Sequence, residues 1–138
     1  MALVVAVMSM MLMAALGSAL ILTTTTEVAA SANYVGGVEA FYVADAAVER
    51  LVSDLPTVGD WSSLVGLRVE TAAQALLPAA SSIRVVVTVT AAAVEGAIVV
   101  RADAYGPRNV LRTVEATLAR TDEVGPASVR RLAWRELR

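Results

Sequence analysis

Met1 to Leu22 contains no charged residue and only Ser9 and Ser18 as polar side chains, and the first charge in the chain is Glu27. A helix of about 20 such residues is long enough to cross the hydrocarbon core of a bilayer, so a membrane is the default surrounding of this stretch. Beyond Glu27 the pattern becomes amphipathic: Val28, Val35, Val38, Phe41, Val48, Leu51 and Leu55 recur at steps of three, four or seven, the spacing of one helical face. The two halves predict a single helix from Met1 to about Pro56. Asp54-Leu55-Pro56 ends it, because the residue before a proline is pushed out of the α region.

With 138 residues, the chain has room for that rod plus one small domain of about 80 residues, enough for a modest core packed against the helix. The expected division is 1–55, with 1–26 in the membrane or filament core, and 56–138. The fold class that follows is α+β, a long helix on a small antiparallel sheet. Five carboxylates against Arg50 give residues 1–55 a net charge of −4, leaving +2 for the rest, and neither value argues for nucleic acid. Every basic residue is Arg, which reads as the mark of a GC-rich genome. Cys and His are both absent, which excludes disulfides, thiolate chemistry, common zinc sites and His-based triads. No cofactor is expected.

An apolar run of this length exceeds the 7 to 15 residues or so of a signal-peptide core, and no basic flank precedes it. Either Met1 is a processed terminus or translation starts elsewhere, and processing is the preferred expectation. Gly17-Ser18 offers a place for a neighbouring helix to approach. The β-branched run Thr23 to Thr26 predicts local loosening of the helix. Gly36-Gly37 costs roughly 1 kcal/mol per glycine relative to Ala, which a packed face covers.

After the helix, 57–66 reads as a loop with Trp61 as a plug over the core. Val69 to Leu77 predicts a short helix stopped by Pro78. Ile83 to Thr90 alternates as a strand, Ala97 to Tyr105 follows after the Glu95-Gly96 turn, and Val110 to Arg120 follows after Gly106-Pro107-Arg108-Asn109. On the last of these, Val110, Arg112, Val114, Ala116 and Leu118 are assigned to the core side, with Arg112 near its edge. Arg101, Asp103 and Glu115 are expected as surface cross-strand pairs. Thr121 to Pro126 reads as a polar connection. Val129 to Arg138 reads as an edge strand in preference to a helix capped by Ser128, its arginines Arg130, Arg131, Arg135 and Arg138 guarding the edge.

Ala2-Leu3-Val4-Val5 opening an apolar helix, then the threonines, Glu27, Ala32-Asn33-Tyr34 and Glu39-Ala40-Phe41-Tyr42-Val43-Ala44-Asp45-Ala46-Ala47-Val48-Glu49-Arg50, resemble the N-terminal region of PilX-type minor pilins of type IV pilus systems. The resemblance covers about the first 55 residues. It implies a pilin-like fold, removal of a short basic leader by a prepilin peptidase, and N-methylation of Met1 as the new terminus. It further implies filament assembly through the apolar half-helix, here Met1, Leu3, Val5, Met8, Leu12, Leu16 and Leu20, while Val38, Phe41, Val48, Leu51 and Leu55 pack on the sheet. The family generally carries Glu at the fifth mature position, and this chain has Val5 there. A subunit so built lacks the carboxylate that pairs with a neighbour's ammonium, as at pseudopilus tips, or is held by apolar packing alone.

The expectation is therefore a structural filament subunit, minor or tip. Its partners are copies of itself or other pilins, the bacterial inner membrane before assembly, and the pilus assembly machinery. After assembly it lies at the cell surface. The alternative is a single-pass anchored protein with a small periplasmic binding domain. An enzyme is not expected: Asp45 and Glu49 lie one turn apart, but as a solvated face or an inter-subunit contact.

Overall fold

The computed structural model describes residues 1–77, 82–121 and 128–137. The chain forms two compact units, Met1–Val35 and Gly36–Arg138, so the division falls within the long helix and the helical residues from Gly36 onward belong with the sheet. The fold is α+β. Helix α1 runs Ala2–Asp54 and is followed by a single 3-10 turn, Leu55–Thr57, with Pro56 inside it.

In the first unit every residue is exposed and the helix is unbroken. The loosening expected at Thr23 to Thr26 does not occur. Thr23 Oγ1 donates to the Ala19 carbonyl at 3.0 Å, Thr24 to Leu20 at 3.0 Å, Thr25 to Leu22 at 2.9 Å and Thr26 to Leu22 at 2.8 Å. Each hydroxyl finds an acceptor on the preceding turn of its own helix, so the run leaves no side-chain hydroxyl unpaired.

In the second unit, α1 buries Gly36, Gly37, Ala40, Val43, Ala44, Ala47 and Val48. These are spaced three and four apart, as one helical face requires. Against them lies a five-stranded antiparallel meander: β1 Arg68–Ala72, β2 Arg84–Ala91, β3 Ala97–Tyr105, β4 Leu111–Thr121 and β5 Ser128–Leu137, in the order β1-β2-β3-β4-β5. Val89, Val100 and Ala116 are in register across β2, β3 and β4, as are Val87, Ala102 and Val114. Alternation of side chains along each strand then puts Val85, Val89, Val100, Ala102, Ala104, Val114, Ala116 and Leu118 on one face, and all eight are fully buried. Burial of this kind is worth about 1.5–3 kcal/mol per Val or Leu side chain.

The short helix expected over 69–77 is instead strand β1 followed by a 3-10 turn, Ala73–Ala75. Ladder bonding to β2, with Val69 opposite Val87 and Thr71 opposite Val85, outweighs the helical spacing of the alanines and leucines. The expected stop at Pro78 lies outside the described residues, as do most of the 121–126 connection and Arg138. Val129 to Leu137 lies in an edge strand, as expected. A bulge interrupts its pairing with β4: Thr117 faces Ala133 and Leu118 faces Arg131, leaving Leu132 between them.

Candidate assembly and anchoring surface

Met1, Leu3, Val5, Met8, Leu12, Leu16 and Leu20 are all exposed. The polar atoms among them are turned inward: Ser9 Oγ donates to the Val5 carbonyl at 2.9 Å and Ser18 Oγ to the Ala14 carbonyl. Gly17 leaves its flank open, with nothing near where a Cβ would stand. Side chain and backbone therefore offer a neighbour only apolar surface. Such a surface does no acid, base or nucleophilic chemistry; it packs against lipid or against another apolar helix. Among the described residues α1 is the one helix long and apolar enough to cross a membrane, a criterion that a signal sequence near an N-terminus also meets.

The helix–sheet packing is built from smaller residues than the spacing of the large ones indicated. Val48 and Leu55 are buried, and Phe41 and Leu51 are part-buried against the core. Val38, expected in the same stripe, is instead 36% exposed. The central contact is made by Ala40, Val43, Ala44 and Ala47, which sequence reasoning passed over. Their spacing was visible, but alanine carries little hydrophobic weight and draws attention only once a close sheet is known. Gly37 has a different neighbour. A Cβ there would stand 3.1 Å from Nη2 of Arg112, whose guanidinium also reaches Glu136 at 3.8 Å.

Asp45 and Glu49 each bond a side chain of β5. Trp134 Nε1 on β5 donates to Asp45 Oδ1 at 3.2 Å, and Arg131 pairs with Glu49. Phe41 meets the Trp134 ring edge-on at 6.0 Å, so two carboxylates and one ring on α1 hold the edge strand. Of the cross-strand pairs expected for Arg101, Asp103 and Glu115, those of Asp103 and Glu115 form, with other partners, and that of Arg101 lies within its own strand. Arg101 bonds Asp103 on its own strand at 3.0 Å, Thr113 donates to the same carboxylate at 2.6 Å, and Glu115 takes Arg135 of β5, with Nε at 2.9 Å.

Trp61 is buried and donates to the Leu55 carbonyl at 3.4 Å, closing the core where α1 ends. The turn that places it, Trp61–Leu64, is capped by Asp60, which accepts from the Ser62 hydroxyl at 2.7 Å and from its backbone N–H at 2.9 Å. Those two bonds, the hydroxyl first, hold the Asp60 carboxyl below its ordinary value. Beside α1, a half-open apolar groove of about 130 Å³ is lined by Leu51, Leu67, Val69, Val85 and Val87, with Arg50 and Asp54 paired at its rim at 3.4 Å.

The long apolar N-terminal helix, with its later turns packed on an antiparallel sheet, is an architecture consistent with pilin-like and with membrane-anchored proteins. No protein-family description, curated protein or solved structure matches the chain.

Proposed function

We propose that the protein is a structural subunit of a type IV pilus-like filament, with a minor or tip position favoured by the PilX-like residues 33–50. The observation that carries this reading is the apolar segment itself: its residues are exposed and its serine and threonine hydroxyls are bonded to the helix's own carbonyls. Such a segment exchanges lipid contacts for helix contacts without leaving a polar group unpaired. Before assembly it resides in the inner membrane. Afterwards it packs with copies of itself or with other pilins, driven by the assembly machinery that the resemblance implies, and the sheet unit is carried to the cell surface. Its mechanism is assembly, with no catalytic step assigned.

Leu3→Asp and Val5→Asp test this. Either charge is expected to remove the protein from sheared surface filaments while the membrane fraction still contains it. Undiminished incorporation of both variants overturns the proposal. A second reading, a solitary anchored protein with a small binding domain, draws support from the apolar groove beside Leu51 and Val85. It predicts that the protein never leaves the membrane fraction.

A further inference from the structure

The β3–β4 hairpin, residues 105–111, is the most unusual turn in the sheet unit. Arg108 and Asn109 both adopt left-handed backbone, with φ of 57° and 61°. Asn is at ease there, but a long side chain without a local bonding role is not. Arg108 is thus held at the hairpin tip, exposed to solvent, in a conformation that its own backbone does not favour. Around it stand Tyr105, Pro107 and Leu111, all exposed, and Arg84, whose guanidinium lies 5.1 Å from the centre of the Tyr105 ring. Residues 105–111 contain no acid. The carboxylates bonded nearby are committed: Glu70 to Arg84 at 3.2 Å and Glu136 to Arg112 at 3.8 Å.

The hairpin also lies where the chain enters this unit. A Cβ on Gly106 would meet Ala40 at 3.8 Å, and one on Gly36 would meet Val110 at 3.8 Å. From Glu27, the first charge after the apolar stretch, nine steps of chain lead to Gly36, a tether of about 14 Å as helix and no more than about 32 Å in any conformation.

We propose that this hairpin tip is a docking site for anionic phospholipid headgroups, engaged when the apolar segment is in the bilayer. The inference rests on the membrane residence that both readings above share. Arg108 meets a lipid phosphate, which the planar guanidinium bonds through two N–H groups, while Arg84 stays paired with Glu70. Tyr105 sits at the headgroup level as amphipathic rings do, and Leu111 faces the acyl boundary. Docking holds the sheet unit on the membrane surface, and Arg108 contributes about a fivefold preference for an anionic over a neutral surface.

The chain contains no cysteine, so single labels are clean. The full-length protein, labelled with a fluorophore at Leu111→Cys or, as control, at Glu95→Cys on the β2–β3 turn, is reconstituted into vesicles carrying a headgroup-borne quencher. One vesicle set is phosphatidylcholine alone and the other is phosphatidylcholine mixed with phosphatidylglycerol. The expected result is quenching at 111 that is several-fold stronger in the anionic vesicles, with none at 95. Arg108→Gly, which suits the positive φ and so keeps the fold, is expected to lower that contrast, and Arg108→Lys to retain most of it. Quenching at 111 that equals the control, ignores phosphatidylglycerol, or gives way to cross-linking with a second copy overturns the proposal and leaves membrane residence standing. Failure of the protein to float with vesicles at all overturns membrane residence and the docking site together.

Discussion

Two adjacent glycines in a helix cost roughly 1 kcal/mol apiece in propensity, and Gly36 and Gly37 differ in what they return. At Gly36 an added Cβ meets only Val110 Cγ2, at 3.8 Å, an ordinary contact; at Gly37 it crowds the Arg112 guanidinium at 3.1 Å. Gly36→Ala is therefore expected to stabilise the full chain by up to about 1 kcal/mol. Gly37→Ala gains less, because Arg112 must move and its pairing with Glu136 with it. Thermal unfolding in detergent ranks the two, and a larger gain at Gly37 contradicts the packing described. Asp60 supplies a second residue-scale test. Its folded pKa is depressed, so its contribution to stability is present above the unfolded value of about 3.9 and is lost as pH falls through the lower folded value. In a Trp134→Phe background, Trp61 emission is expected to change across that acid range, and Asp60→Asn is expected to remove the change. Emission that titrates identically in the Asn variant contradicts the cap.

Elements were legible where local pattern and tertiary demand agree. β2 and β3 alternate apolar with other residues between turn signals, and α1 ends where Pro56 forbids continuation. β1 was not legible, because Ala72-Ala73 and Leu76-Leu77 also fit a helix, and only the partner strand β2 decides between the two. The threonine run misled because propensity is a weak prior, and four residues of it do not interrupt a helix that propagates from the long stretches on both sides. The buried face of α1 was displaced from the expected one, since close approach to a sheet selects Ala40, Ala44 and Ala47 over the bulkier Val38. Two outcomes belong to this scale. Leu118→Ala, at a fully buried position on β4, is expected to cost about 2–5 kcal/mol, read by denaturant unfolding; a cost under 1 kcal/mol contradicts the core assigned here. Trp134→Phe keeps an aromatic against Phe41 but loses the N–H bonded to Asp45, with an expected loss of about 0.5–1.5 kcal/mol and faster amide exchange along β5. Unchanged exchange in β5 means that Asp45 does not hold the strand.

At the scale of the whole molecule, the chain joins an exposed apolar helical segment to a small unit with its own core. The sequence states the first half of that arrangement plainly, because an uncharged run through Thr26 permits few alternatives. The candidate surface was legible as composition, while the commitment of Asp45 and Glu49 to β5 was not, since residues 82 and more positions apart meet only through the sheet. The most direct measurement is the intact mass and N-terminal residue of the protein recovered from sheared cell-surface material. Filament assembly predicts recovery in that material with a processed, N-methylated first residue. An unmodified chain confined to the membrane fraction would contradict it and leave the solitary anchored protein.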